Sequence, residues 1–194
     1  SLYVAGYRVR TAVAATDDAA TIAQAIVDTI GDNDRLPVTA AINGTTPEQV
    51  DITCTWAGET GNDIALVMGA KGEDGVPGVS YTITQPSGGS GNPDLGEVIA
   101  VLGDEWYHYF ACPYTDTANL DALTAELDRR YGPMVQMGGR AFAAFRGTHS
   151  ETGTFGSALN SPHLTVMGTG LAASPTWLWA ASYAMVAAGK LSND

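Results

Sequence analysis

A short stretch, Pro86-Ser-Gly-Gly-Ser-Gly-Asn-Pro93, separates two segments of different rhythm and constrains the fold more than any other feature. Its glycines are flexible, and its prolines continue neither a ladder nor a helix. It predicts two compact units. Residues 1–90 read as a small α+β domain, rich in β structure. Residues 91–194 read as an α/β domain, a mostly parallel sheet covered by helices.

Period-two patterning dominates the first segment. Leu2–Arg10 reads as a strand. Val50, Ile52, Cys54 and Trp56 alternate with polar residues, as do Val79, Tyr81 and Ile83, the pattern of half-buried antiparallel strands. Asn43-Gly44, between Pro37–Ile42 and Gln49–Trp56, predicts a tight hairpin turn because both residues tolerate positive φ. One helix interrupts this series. Thr16 is its expected cap and Gly31 its left-handed stop. Ala19, Ile22, Ala23, Ile26, Val27 and Ile30 then form one apolar stripe destined for a sheet.

Strands and helices alternate in the second segment. A helix near Asp94–Leu102 precedes a strand at Trp106–Ala111. A helix capped by Thr115 or Thr117 presents Leu120, Leu123 and Leu127 on one face and ends before Gly132-Pro133. The strand Arg140–Phe145, a short helix around Glu151–Leu159, the strand His163–Met167 and a last helix opened by Ser174-Pro175 follow. This order means βαβ crossovers.

That last helix, Pro175 to Ala188, is apolar nearly all round, and only Ser182 is clearly polar. It is too short to span a bilayer, so membrane insertion is not expected. All-round apolarity means contact on more than one side. Either it is sandwiched inside this chain or part of its surface meets a further segment or another subunit. On the second reading, which is favoured here, Trp177, Trp179 and Tyr183 are the candidate interface residues, since exposed tryptophan and tyrosine mark interface centres.

Catalytic chemistry finds little support. Among the three histidines, His108 lies in an aromatic strand and His163 at a strand start, both structural places. His149, in Arg146-Gly-Thr-His-Ser150, sits at a strand-to-helix tip where α/β proteins carry function. A nucleophilic mechanism would recruit Ser161 and Asp104 or Asp116, yet no Gly-x-Ser-x-Gly elbow exists. Asp32-Asn-Asp34 opens like a calcium loop, but Leu36 and Pro37 stand where a ligand and a glycine belong, so it reads as a polar turn. Cys54 and Cys112 lack partners at zinc spacing. Gly168-Thr-Gly170 lacks the third glycine of a dinucleotide loop. Asp104 and Glu105 point to opposite faces if on a strand. No catalytic, cofactor or metal residue is assigned.

The formal charge of −12, from 9 basic and 21 acidic residues among 194, argues against nucleic acid as a partner, because phosphate neutralisation needs a basic face. Two cysteines make no disulfide framework and fit a soluble protein of a reducing compartment. No basic-then-apolar leader opens the chain. A start at Ser1 inside a strand-like stretch reads as a piece of a longer polypeptide.

Several motifs occur in a recognisable order: Asn92-Pro-Asp-Leu95, Leu102-Gly-Asp-Glu-Trp-Tyr107, Pro113-Tyr-Thr-Asp116, Arg129-Arg-Tyr-Gly-Pro133, Phe145-Arg-Gly-Thr148 and Asn160-Ser-Pro-His163. Together with Gly58-Glu-Thr-Gly-Asn-Asp-Ile64, they resemble the tail sheath proteins of Mu-like contractile phages and prophages. The resemblance implies a structural protein without catalytic residues or cofactors. Its core would be subtilisin-like in topology without being a protease. Partners would be other copies in six-fold rings, the tail tube and the baseplate, in a virion tail assembled in the bacterial cytoplasm. Sheath proteins are longer, and the end segments that link neighbours have no counterpart here, so this piece is expected to be monomeric. Two rival readings remain: a degenerate subtilisin-like hydrolase using His149, and a receptor- or carbohydrate-binding module suggested by Trp56 and Tyr81.

Overall fold

A computed structural model of the chain describes residues 1–70, 72–73 and 75–191. Residues 192–194, which the sequence reading places in the second domain, lie outside the described residues. The chain divides into two compact units, Ser1–Gly91 and Asn92–Asp194.

The first unit opens on a hairpin, β1 (Leu2–Val4) and β2 (Tyr7–Val9), where the sequence predicts one strand. Ala5 (φ 51°) and Gly6 (φ 81°) are both left-handed and reverse the chain in two residues. Alanine disfavours that conformation, and packing overrides it. Ala5 is buried, and its N–H donates to Ala65 O at 3.0 Å.

Helix α1 (Ala19–Gly31) is capped by Asp18, not Thr16: the Asp18 carboxylate accepts the Thr21 N–H at 2.8 Å. It ends on Asp32 in right-handed geometry (φ −77°), so Gly31 is no left-handed stop. Ala23 and Ile30 are buried and Ile22, Ile26 and Val27 half-buried, as the stripe predicts, whereas Ala19 is exposed. This face lies on the antiparallel pair β3 (Val38–Ile42) and β4 (Val50–Cys54). Their connection is a seven-residue loop, not an Asn-Gly turn. The Asn43 side-chain oxygen accepts the N–H groups of Thr45 and Thr46, at 3.0 and 3.1 Å, which closes the loop without positive φ.

Strand β5 (Leu66–Met68) pairs antiparallel with β1, giving the order β2-β1-β5. The predicted strand at Val79–Ile83 does not form; no described residue between Met68 and Leu95 is in a strand or helix. Pro77 and Pro86 remove ladder donors, and two side-chain amides take over. Gln85 donates from Nε2 to Leu66 O at 2.8 Å and accepts the Leu66 N–H at 3.0 Å. Asn62 does the same with Gly89, at 2.8 and 2.9 Å.

The second unit carries α2 (Leu95–Val101), β6 (Tyr109–Ala111), α3 (Thr117–Tyr131), β7 (Arg140–Phe145), α4 (His149–Ala158), β8 (Leu164–Gly168) and α5 (Thr176–Leu191). β6, β7 and β8 form a parallel sheet in that order. Both crossovers step the same way across the sheet, so right-handed connection puts α3 and α4 on one face and leaves the other to α5. Side chains alternate accordingly. Ala141 and Ala143 meet Leu120, Leu123 and Leu127 of α3, and the Phe145 ring stacks on Phe155 of α4 at 4.3 Å. Phe142 points the other way, edge-on to Tyr183 of α5 at 5.0 Å.

Caps again fall on acids or on an acid-assisted threonine. Asp116, not Thr115 or Thr117, caps α3 through the Asn119 N–H. Thr148 and Glu151 form a capping box that starts α4 at His149, earlier than expected. Asn119, buried at the start of α3, straps down the incoming segment: it accepts the Leu95 N–H at 2.8 Å and donates to Pro93 O at 3.0 Å.

Candidate functional site

His149 stands exposed in the first turn of α4. The carboxylate nearest in sequence, Glu151, is committed to the capping box. Its Oε2 accepts the Thr148 N–H at 2.7 Å and the Thr148 hydroxyl at 2.9 Å, bonds that lower its pKa. Ser161 Oγ accepts the His163 N–H, and Asp116 binds Asn119 and Asn92. Among the described hydrogen bonds and ion pairs, His149 has neither a serine hydroxyl nor a carboxylate, so the recruited residues do not converge.

The other sequence candidates are structural. Among the described residues no group of three or more His, Cys, Asp and Glu side chains is placed to hold a metal ion. Asn33 turns the Asp32–Asp34 segment by accepting the Arg35 N–H. Burial pushes the Cys112 thiol pKa up, making it a core residue, and Cys54 is likewise a free thiol. The Gly168–Gly170 loop is closed against its own chain. Thr169 donates to Phe145 O through both its N–H and its hydroxyl, and Gly170 O accepts the Gly147 N–H. No described helix is long and apolar enough to cross a membrane.

Two surfaces of the second unit stand out. The first is the outward side of α5. Thr176, Ala180 and Ala184 face the sheet, and Trp177 and Tyr183 flank them half-buried. Away from the sheet lie Leu178, Trp179 (37% exposed), Met185 (75%) and Val186 (63%), with no charge before Lys190. Of the three sequence candidates, Trp179 thus faces solvent, while Tyr183 packs on Phe142.

The second surface escaped the sequence reading. It lies at the N-terminal edge of the parallel sheet, where Arg140 N–H donates to His108 O and Ala141 N–H to His163 O. There Tyr131, Gly138, Gly139, Arg140, Pro162 and His163 line a cleft of about 420 Å³. The His163 ring sits 5.1 Å from that of Tyr131, with Nε2 3.3 Å from Asp128 Oδ1. Trp106 flanks the cleft, held by an indole N–H bond to Gly138 O at 2.8 Å. It precedes β6, which begins only at Tyr109, so the aromatic run Trp106–His108 is an exposed loop and not the predicted strand.

A buried arginine sets this loop. Arg130 donates to Glu105 O at 2.7 Å, to Gly103 O at 2.9 Å and to Glu126 at 2.7 Å. Glu126 also takes two bonds from Arg129, and together these hold its pKa down to about 2. Gly139 completes the fit, since a Cβ there would come within 2.8 Å of Tyr107 O. The residues are scattered from 103 to 163, and the only local sequence signal was the density of aromatics at 106–110.

Comparison with known proteins adds two findings. A family model described as the phage tail sheath protein central domain matches residues 88–192. Over 195 aligned residues the chain is similar to the Mu-like prophage FluMu tail sheath protein of Haemophilus influenzae, with 39% identity. That alignment takes in 100% of this chain and 39% of the relative, so the chain spans about two fifths of the length of the curated relative it matches.

Proposed function

The chain belongs to the phage tail sheath protein family, and on that premise we propose that it is the central part of a contractile sheath subunit. Such subunits would stack in six-fold rings around the tail tube, meet the baseplate, and shorten to drive the tube through the host envelope. They would assemble in the bacterial cytoplasm and remain in the virion tail. The identity over the whole chain carries this reading.

The geometry is compatible with it. A sheath subunit needs exposed complementary surfaces more than a pocket with perturbed acids. The outward face of α5, with Trp179 at its edge and Trp177 and Tyr183 on its flanks, would serve as one contact between subunits. The helix-covered parallel sheet β6-β7-β8 would be the middle of a larger subtilisin-like core. The chain would carry two domains, divided near Gly91.

Electron microscopy of the protein expressed from its complete gene tests the reading. Striated or helical tubes are expected, and dispersed particles under all assembly conditions would sink it. The 194-residue chain by itself should show at most weak association, and light scattering from a stable hexamer or filament would contradict that. A serine-directed fluorophosphonate should leave the protein unlabelled, whereas stoichiometric labelling would revive the hydrolase alternative.

A further inference from the structure

We propose that the cleft at the N-terminal edge of the parallel sheet, lined by Tyr131, Arg140 and His163 and flanked by Trp106, docks an acidic segment of a second copy of this chain. The inference rests on the sheath reading and adds a second contact, distinct from the face of α5.

Four observations carry it. The first is location. Open α/β sheets bind small ligands beyond the carboxyl ends of their strands, and this cleft lies at the opposite edge. The second is composition. Tyr131 (66% exposed) and Arg140 in the cleft, and Trp106 (54%) beside it, belong to the residue types that interface centres concentrate. The third is rigidity. Arg130 clamps Gly103 and Glu105, Gly138 holds the Trp106 indole, and Asp128 and Tyr131 hold His163. Aromatic groups fixed before contact lose little freedom on binding.

The fourth is charge. The Arg140 guanidinium has no ion-pair or hydrogen-bond partner among the described residues. His163 already faces Asp128, which leaves Arg140 as the permanently charged side chain of the cleft without a partner among the described residues. Identical copies carrying −12 each repel one another, so a contact between them is favoured where such a cation meets an acidic stretch. Acidic groups outnumber basic ones by 21 to 9 in this chain, so a second copy offers the complementary partner. A closed ring of identical subunits also needs two unlike patches that fit each other or further elements. The uncharged face of α5 and this polar-rimmed aromatic cleft are unlike.

Sedimentation equilibrium of the purified chain over a range of salt tests the proposal. Weak, reversible self-association is expected, and the difference between the parent protein and Arg140→Glu should narrow as salt screens the contact. Arg140→Glu and Trp106→Ala should each weaken it roughly tenfold or more. Arg35→Glu makes the same charge change at an exposed site of the first unit and should shift it less than about twofold. Circular dichroism confirms that each variant is folded. A monomer at every concentration, an equal effect of Arg35→Glu, or loss only on Val186→Glu would each overturn the cleft as the docking surface. In the tube assay the two ideas separate. Normal tubes from Arg140→Glu protein would end this inference and leave the sheath reading intact, whereas absence of tubes from the unaltered protein would end the sheath reading.

Discussion

In the unit Asn92–Asp194, three parallel strands are joined through two capped helices, α3 packed on a layer of alanine and leucine and α4 on the Phe145–Phe155 stack. In Ser1–Gly91, two small antiparallel sheets leave the described part of the segment between Met68 and Gly91 without any ladder, and single carboxamides from Gln85 and Asn62 hold it. The contrast teaches that backbone pairing by strands and pairing by one side chain have different failure modes. A ladder shares its load over many bonds, while a carboxamide is lost with one substitution.

The hardest test of this contrast is Leu127→Ala in the buried layer between α3 and β7. It should cost about 2–5 kcal/mol in denaturant unfolding, with hydrogen exchange rising across β6–β8. If amides of β3 and β4 lose protection equally, the two units melt as one and the comparison fails. Next in size is Arg130→Ala, expected to cost roughly 3 kcal/mol, because Glu126 loses a buried partner and two carbonyls lose a donor. Arg130→Lys should recover only part of that, since an ammonium does not reproduce the fork of donors.

In the first unit, a Cβ at Gly89 would collide with Gly58 O and crowd Asn62. Gly89→Ala should therefore cost roughly 1–3 kcal/mol and release residues 85–91 to protease before the rest of the unit. Gln85→Ala should cost roughly 1 kcal/mol and raise exchange at the Leu66 amide in particular. Unchanged exchange there would mean the carboxamide does not stand in for a strand.

Acid tests the ion pairs of the second unit. Glu126 has a folded pKa near 2, below the ordinary carboxylate value of 4.5. Its contribution is therefore complete above that ordinary value and fades as pH falls from there toward about 2. Glu126→Gln should flatten that part of the stability profile, and a profile identical to that of the parent protein would deny the ion pairs any role in it.

Much of the second unit was legible because its signals are local and redundant. Ala141–Phe145 is an apolar run between Arg140 and Arg146, and the predicted limits Arg140–Phe145 are those of β7. Leu120, Leu123 and Leu127 recur at helical spacing and are all buried. The failures lie where the deciding partner is distant. Ala5 adopts a left-handed turn only because Ala65 receives its N–H, and Val79–Ile83 alternates like a strand with no neighbour to pair with. Asp116 outcompetes two threonines as a cap because it also binds Asn92. The cleft was illegible for the same reason: Trp106, Tyr131, Arg140 and His163 are gathered by sheet register and by Arg130, not by spacing. The α5 surface was half legible. All-round apolarity announced an exposed side, but not that Tyr183 would turn toward Phe142.

The direction of the strands has a mechanical consequence. Tension applied to the chain before β6 and after β7 pulls at opposite ends of a parallel pair, so the Tyr109↔Arg140 to Ala111↔Phe142 register must slide as a block, in shear. Tension across the β3–β4 hairpin acts at one end only and peels it open from Val38↔Cys54 onward, one rung at a time. Under the same pull the parallel sheet is the stiff transmitter and the hairpin the fuse.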